Sequence, residues 1–203
     1  LAMARINIKD ITHIDLYSCF PSAVAIACRE LGIPEDDPRD LTVTGGLAFH
    51  GGAGNNYVMN SIAAMADQLR EDPGTYGLVT ANGGYLSRHS AGIYSTFPPE
   101  GPWQRPDPVF YQQEIDALDS PVFTESPDGK AAIETYSVVF GRDNHPDFGI
   151  VIGRLGSNPE TGTRFIARVT PDTDVLMDMT QSDYIGRVGK VSSVEGSNIF
   201  TPI

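Results

Sequence analysis

Three residues in the first half of the chain are of types that carry nucleophilic or acid–base chemistry, and each lies in or beside a turn. Cys19 comes just before a predicted helix, where the positive end of the helix dipole favours a thiolate. His50 lies in a glycine-rich turn and could serve as a base or as an oxyanion donor. His89 follows another glycine turn. Each residue also has a structural alternative. Cys19 could be a small buried thiol, His50 a capping side chain in the glycine-rich turn, and His89 a surface residue beside a hairpin.

The predicted elements place these turns at one end of a sheet. Apolar patterns predict strands over residues 11–17, 41–44, 76–81 and 89–97. Helices are predicted from Pro21 to about Leu31 and from Asn55 or Asn56 to about residue 70. The order implies a mostly parallel sheet with an antiparallel edge hairpin. Since ligands bind at the carboxyl ends of parallel strands, Cys19, His50 and His89 are expected within about a dozen ångströms of one another.

The turn before the second helix is rich in glycine, with five glycines in residues 45–54. Such a turn in front of a helix N-terminus could hold negative charge or could be only a tight connection. A dinucleotide site is excluded, because the Gly-x-Gly-x-x-Gly spacing and the ribose-binding acidic residue are missing. A phosphate-binding lysine is also missing.

The prolines of residues 98–108 predict a boundary between two domains, 1–106 and 107–203. After a short helix over 109–118, strands are predicted over 131–140, 149–155, 163–169 and 186–194. This pattern predicts a small all-β domain, a barrel similar to the oligonucleotide-binding (OB) fold. It is expected to pack against the first domain and to shape or cover its site.

Charge and composition exclude several functions. The net charge is −12, with 7 basic and 11 acidic residues in 1–106 and 7 against 15 in 107–203. This argues against nucleic acid and anionic membranes as partners, unless Arg154, Arg164, Arg168 and Arg187 share one face. No apolar run is long enough to span a bilayer. Cys19 and Cys28 suggest no disulfide framework, and no metal-ligand spacing occurs, so a cytoplasmic protein without a metal is expected.

Three motifs resemble the second half of the thiolase superfamily, over about residues 5–97. Tyr-Ser-Cys-Phe at 17–20 stands where thiolases have Asn-Glu-Ala-Phe and the sterol-carrier-protein type has His-Asp-Cys-Phe. Gly45 to Ala53 matches the family's Gly-Gly, four residues, Gly-His-Pro segment, and Asn-Gly-Gly at 82–84 stands for Cys-x-Gly. The nearest similarity is to thiolase-like proteins of type 1, which carry an additional C-terminal domain.

The chain departs from the family at three positions. Gly52 stands where the Gly-His-Pro histidine would be, so that His50 comes two residues early. Asn82 replaces the acid–base cysteine, and Tyr17 replaces an oxyanion-hole Asn or His. The resemblance makes Cys19, His89 and His50 the candidate catalytic residues. Its candidate substrate-binding residues are Tyr17, Gly52, Asn55, Asn82 and Gly84.

The resemblance implies a thiolase-like three-layer α/β/α half-fold with a mixed sheet, followed by the small OB-like domain. It implies acyl transfer or Claisen-type chemistry in lipid metabolism, with an acyl-coenzyme A thioester as substrate and no further cofactor. In the family, the nucleophilic cysteine and most coenzyme A contacts belong to the N-terminal half. The resemblance therefore implies that this chain requires a thiolase N-terminal half as its partner. The alternative is a non-catalytic thiolase-like protein that binds acyl-CoA or serves assembly.

Overall fold

The computed structural model describes residues 1–99, 101–102 and 106–203. The chain forms two compact units, Leu1–Phe110 and Tyr111–Ile203, which are described separately. The helix α4 (Pro108–Asp116) runs across the division.

The first unit contains a three-stranded mixed sheet. β1 (Ile11–Asp15) pairs in parallel with β2 (Tyr76–Gly83), which pairs antiparallel with β3 (Arg88–Tyr94). Successive β2 residues point to opposite faces. Leu78 joins a core with Ile14 and Cys28, while Val79 joins a second core with Met65. One helix therefore covers each face, which gives three layers.

Helix ends agree well with the sequence where a strong signal exists. α1 spans Pro21–Leu31 and stops at Gly32, whose φ of 69° is left-handed. The second predicted helix, α3, spans Tyr57–Glu71. It starts after Asn55 and Asn56, because residues 54–56 form a 3-10 turn. A short helix α2 (Gly46–His50) inside the glycine-rich turn was not predicted.

The strand predicted over residues 41–44 does not form. The main-chain amides of Val43 and Thr44 donate to the Asp15 carboxylate, at 3.0 and 3.1 Å, and not to a neighbouring strand. The segment keeps one strand-like contact, from the Leu16 amide to the Leu41 carbonyl. The predicted turn at 82–84 also shifts, because Asn82 and Gly83 still pair within the β2–β3 ladder.

The second unit is a closed five-stranded barrel. Its strands are β4 (Gly129–Phe140), β5 (Pro146–Leu155), β6 (Arg164–Val169), β7 (Val188–Val194) and β8 (Ser197–Pro202). They close in the order β4-β5-β6-β8-β7, with β6 and β8 parallel. The core is built from inward-facing apolar residues, among them Ile133, Val151, Phe165, Val191 and Phe200.

The sequence analysis missed two elements of this unit. β8 completes the barrel, and the helix α5 (Thr173–Gln181) lies between β6 and β7. Asp172 caps the start of α5, and its carboxylate accepts the amides of Asp174 and Val175. The domain is therefore a barrel with a helix and not purely β.

Three of the four arginines singled out in the sequence share a strand face. Arg154 and Arg164 are directly opposite each other in the β5–β6 ladder, and Arg168 is four residues further along β6, so its side chain points to the same face. Both Arg154 and Arg164 donate to the Glu134 carboxylate. Arg187 instead precedes β7 and stacks over the Tyr184 ring at 3.9 Å.

No helix among the described residues is both long enough and apolar enough to cross a membrane.

Candidate functional site

Cys19 lies between the carboxyl end of β1 and the start of α1, and its side chain reaches β2. The Sγ–H donates to the Asn82 Oδ1 at 3.6 Å. The preceding backbone is attached to the same strand, because the Tyr17 amide donates to the Thr80 hydroxyl at 2.9 Å. Thr80 and Asn82 are two residues apart and so face the same side of the sheet. The segment after β1 is therefore held along β2 by one backbone and one side-chain contact.

A cleft of about 560 Å³ opens beside Cys19. Its volume lies within the range of small-molecule sites. The walls are mostly apolar, and the polar side chains on them are Ser18, Cys19 and Thr42. The apolar part is formed by residues after β1, in α1 and around the glycine turn: Leu16, Pro21, Val24, Leu41, Leu47 and Ala48. Such a surface suits an apolar group brought close to a thiol.

The Gly45–Gly46 turn forms one wall of this cleft and fits closely against the segment that carries Cys19. Both glycines are left-handed, with φ of 83° and 77°. A Cβ on Gly46 would lie 2.7 Å from the Ser18 Oγ, so a larger residue would push the two segments apart. The Ser18 Oγ also accepts the Leu47 amide at 3.0 Å. Glycine is required here for both conformation and space.

Asp15 is one of two residues of this region that the sequence did not predict. The last residue of β1, it is fully buried, and its Oδ2 accepts from the hydroxyls of Thr42 and Thr44, each at 2.9 Å. The same oxygen also accepts the two amides of residues 43 and 44. A possible signal was the acid between Ile14 and Leu16 in an apolar strand, since a buried carboxylate needs hydrogen-bond donors.

Tyr17 and His50 meet at a second residue that was missed, Tyr57. The Tyr17 and His50 rings lie edge-on to Tyr57, with centroids 5.5 and 6.3 Å away. Tyr57 is fully buried, and its hydroxyl lies 2.8 Å from the Thr44 Oγ1. The His50 turn is therefore connected to the Tyr17 segment through an aromatic cluster and to Asp15 through Thr44.

His89 lies directly opposite Asn82 in the β2–β3 ladder. Opposed residues of an antiparallel pair point to the same face. Its Nε2 donates to the Leu86 carbonyl at 2.7 Å, and the residue is exposed. A neutral His89 ring thus keeps Nδ1 as its acceptor. Gly84, left-handed at φ 57°, accepts the Ser87 hydroxyl through its carbonyl and so forms the hairpin turn.

The predicted residues differ in what they touch. Cys19 and Asn82 are in contact, His89 is the ladder partner of Asn82, and Tyr17 and His50 share Tyr57. Gly52 and Asn55 are exposed, and a Cβ on Gly52 would meet nothing within 4 Å. Their substrate-binding role remains a prediction, as do the catalytic roles of the others.

Cys28 contrasts with Cys19. It is only 1% exposed in the core between α1 and the sheet. Burial raises the pKa of the Cys28 thiol, and the charges of Glu35 and Asp37 raise that pKa further. Cys28 is thus a packing residue, and it serves as a matched control for Cys19. Within the described residues, no group of three or more His, Cys, Asp or Glu could hold a metal ion.

The fold is similar to that of a thiolase-like protein, and comparisons with known proteins specify which type the chain resembles. Residues 111–196 match the family model of the thiolase-like protein type 1 additional C-terminal domain. The chain is 43% identical to a monomeric SCP2-thiolase-like protein type 1 from Mycobacterium smegmatis, known from its crystal structure. The match has a TM-score of 0.82 and covers 97% of this chain but 42% of that one. No curated protein sequence is significantly similar to the chain.

The resemblance predicted from the sequence is thereby confirmed: the chain is similar to the type 1 thiolase-like proteins with an additional C-terminal domain. It spans about two fifths of the length of the related structure.

Proposed function

We propose that the chain is the C-terminal part of a thiolase-like acyl-CoA acyltransferase in which Cys19 transfers a proton at the substrate α carbon. The observation that carries the proposal is the Cys19–Asn82 contact of 3.6 Å at the edge of an apolar cleft. In the family resemblance, residue 82 is the position of the acid–base cysteine. The thiol of Cys19 therefore reaches the place where the family's own proton carrier would stand.

In the proposed reaction the Cys19 thiolate takes a proton from the α carbon of an acyl-CoA and becomes a thiol. The resulting carbanion attacks the acyl group held on a nucleophilic cysteine, a new carbon–carbon bond forms, and that cysteine leaves as a thiolate. The resemblance assigns the nucleophile to the N-terminal half, a partner outside these 203 residues. The Cys19 thiol formed by this transfer donates its Sγ–H to the Asn82 Oδ1, so that Asn82 orients the protonated form.

Tyr17 and the histidines complete the proposal. The Tyr17 hydroxyl replaces the amide or imidazole donor of an oxyanion hole, where a phenol can also donate to a developing negative charge. His89 acts through Nδ1, since its Nε2 is bound to the Leu86 carbonyl. His50, whose ring lies edge-on to Tyr57, is the alternative residue for proton transfer.

Assays of the full-length protein with acetyl-CoA and acetoacetyl-CoA test this proposal. Cys19→Ala should reduce kcat by at least about 100-fold, the lower range for loss of an acid–base group. Cys28→Ala should retain turnover, because Cys28 lies in the core and takes no part in the site. Equal turnover of the two variants would contradict the assignment of Cys19.

A non-catalytic role is the second candidate, and specific observations favour it. Asn82 and Gly52 replace two groups of the family's chemistry, and Gly52 is exposed with open space around its α carbon. Under this alternative the full-length protein binds acetyl-CoA but shows no turnover before or after the Cys19 change. Calorimetric binding combined with the turnover assay separates the two functions.

We further propose that the barrel is OB-like and binds no nucleic acid. Its strand order, with the helix between the third and fourth strands, supports the OB comparison. Packing of this domain onto the thiolase-like domain also remains a proposal, as does a cytoplasmic location.

A further inference from the structure

We infer that Asp15 is a positioning residue whose buried carboxylate holds the Gly45–Gly46 turn in place and so maintains one wall of the Cys19 cleft. The inference rests on the proposed function only in treating that cleft as the substrate site. It is carried by the hydrogen bonds that lead from the carboxylate to the turn.

The first step is the direction of these bonds. The Asp15 Oδ2 accepts from both threonine hydroxyls, and each hydroxyl has a single proton. The oxygens of Thr42 and Thr44 are therefore left as acceptors toward the rest of the site. The Tyr57 hydroxyl consequently donates to the Thr44 Oγ1.

The second step reaches the turn itself. The Gly46 amide donates to the Thr42 Oγ1 at 3.1 Å and to the Thr44 Oγ1 at 3.2 Å. The next amide, at Leu47, donates to the Ser18 Oγ. Both amides at the start of α2 are thus held by side-chain oxygens. Asp15 keeps two of these oxygens in the acceptor orientation and fixes the chain on which they stand.

The third step concerns the other carboxylate oxygen. The Asp15 Oδ1 is buried and has no hydrogen-bond partner among the described residues. The interactions with the 42–44 segment use Oδ2 alone. A single acceptor at this position is therefore what the turn requires, and an asparagine with its oxygen in the Oδ2 place can supply one.

The test is amide hydrogen exchange at Gly46 and Leu47 in the full chain, with the Leu78 amide as the reference for global opening. Replacing both threonines by valine preserves side-chain shape but removes the acceptors, and should raise exchange at Gly46 about tenfold relative to Leu78. Replacing both by serine keeps the hydroxyls and should restore protection. The rate of Cys19 alkylation by iodoacetamide should differ from that of the parent chain in the double valine variant and should match it in the double serine variant.

Asp15 is tested directly with two substitutions. Asp15→Ala should increase relative exchange at Gly46 at least as much as the valine pair, whereas Asp15→Asn should keep most of the protection. If Asp15→Ala does not fold, the double valine and double serine variants of Thr42 and Thr44 test the inference by themselves. Unchanged relative exchange and unchanged Cys19 alkylation in the valine pair would overturn the inference. Neither readout depends on turnover, so an inactive full-length protein would reject the proposed function without affecting this result.

Discussion

At the residue scale, small residues that pack closely together shape the candidate site more than reactive side chains do. Ser18 contributes one oxygen, which accepts the Leu47 amide and limits the space at Gly46. Cys19, next to it, makes a polar contact with Asn82. The Cys19 thiol is thus placed by the backbone geometry around it, and glycine residues line its cleft.

Gly46→Ala tests this placement. The substitution adds a Cβ 2.7 Å from the Ser18 Oγ and forces a left-handed alanine. It should lower the free energy of unfolding by about 1–3 kcal/mol, the range for such backbone strain. The measurement is denaturant unfolding of the chain.

The matched control is Gly52→Ala, which has open space around the new Cβ. It should stay within about 0.5 kcal/mol of the parent. Equal losses for the two variants would show that the contact with Ser18 does not restrict residue 46.

At the element scale, β1 is anchored at both ends by charged side chains that lie on or near the loop from 35 to 44. Asp15 anchors the carboxyl end through residues 42–44. Near the other end, the Arg39 guanidinium donates to the carbonyls of Ile8 and Ile11, at 2.7 and 2.9 Å. Arg39 is itself held by Asp37, with its Nε 2.8 Å from Oδ1. The loop after α1 is therefore tied to the strand by two separate groups.

The Asp37–Arg39 pair predicts a dependence of stability on pH. Hydrogen bonds from Arg39 lower the pKa of Asp37 from 3.8 to about 2. Because the folded-state pKa is the lower one, the pair contributes its full stability above about pH 4 and loses it as the pH falls toward 2. Asp37→Asn should therefore reduce stability at pH 6 and flatten its decline between pH 4 and 2.

Unfolding midpoints at a series of pH values measure this effect, with Asp36→Asn as the control at an exposed neighbour. An Asp37→Asn profile parallel to that of the parent across this window would contradict the role of the pair.

At the scale of the whole molecule, two of the three arginines on the arginine face of the barrel are paired with an acidic residue. Arg154 and Arg164 share the single carboxylate of Glu134, and hydrogen bonds first from Arg164 and then from Arg154 lower the pKa of that group. Arg168 lies over the Phe148 ring, 4.9 Å from its centroid. This face is a poor candidate for the basic stripe of a nucleic-acid site.

We therefore expect no binding of single-stranded DNA or RNA at micromolar concentrations. The net charge of the chain, −12, adds long-range repulsion to the lack of a basic stripe. Fluorescence anisotropy with a labelled oligonucleotide at low and moderate salt is the measurement. A salt-sensitive increase in anisotropy would overturn the expectation.

The 203-residue chain alone should show no thiolysis of acetoacetyl-CoA. The proposed nucleophile belongs to a half that these residues do not contain, and the chain covers 42% of its structural relative. Thioester consumption by the purified chain, compared with the full-length protein, is the measurement. Turnover by the chain alone would require a nucleophile within it. That result would contradict the proposal that the nucleophile belongs to the N-terminal half.

The sequence by itself determined the elements with strong local signals. Pro21 and Gly32 set the ends of α1, because proline suits a first helical turn and glycine a left-handed cap. Alternating apolar residues revealed four of the five barrel strands, and the motif around Cys19 contributed to the resemblance to type 1 thiolase-like proteins. These features depend on neighbours in the chain, which the sequence shows directly.

Only the tertiary structure decided what residues far apart in the chain do together. Residues 41–44 have the composition of a strand but lose that role, because the buried Asp15 carboxylate takes their amides. Cys19 meets Asn82 across 63 positions, and the burial of Tyr57 brings the Tyr17 and His50 rings to one place. Such contacts depend on how the layers pack. The sequence does not show them, because hydrophobic periodicity indicates only which face of a helix or strand is apolar and not which residues that face contacts.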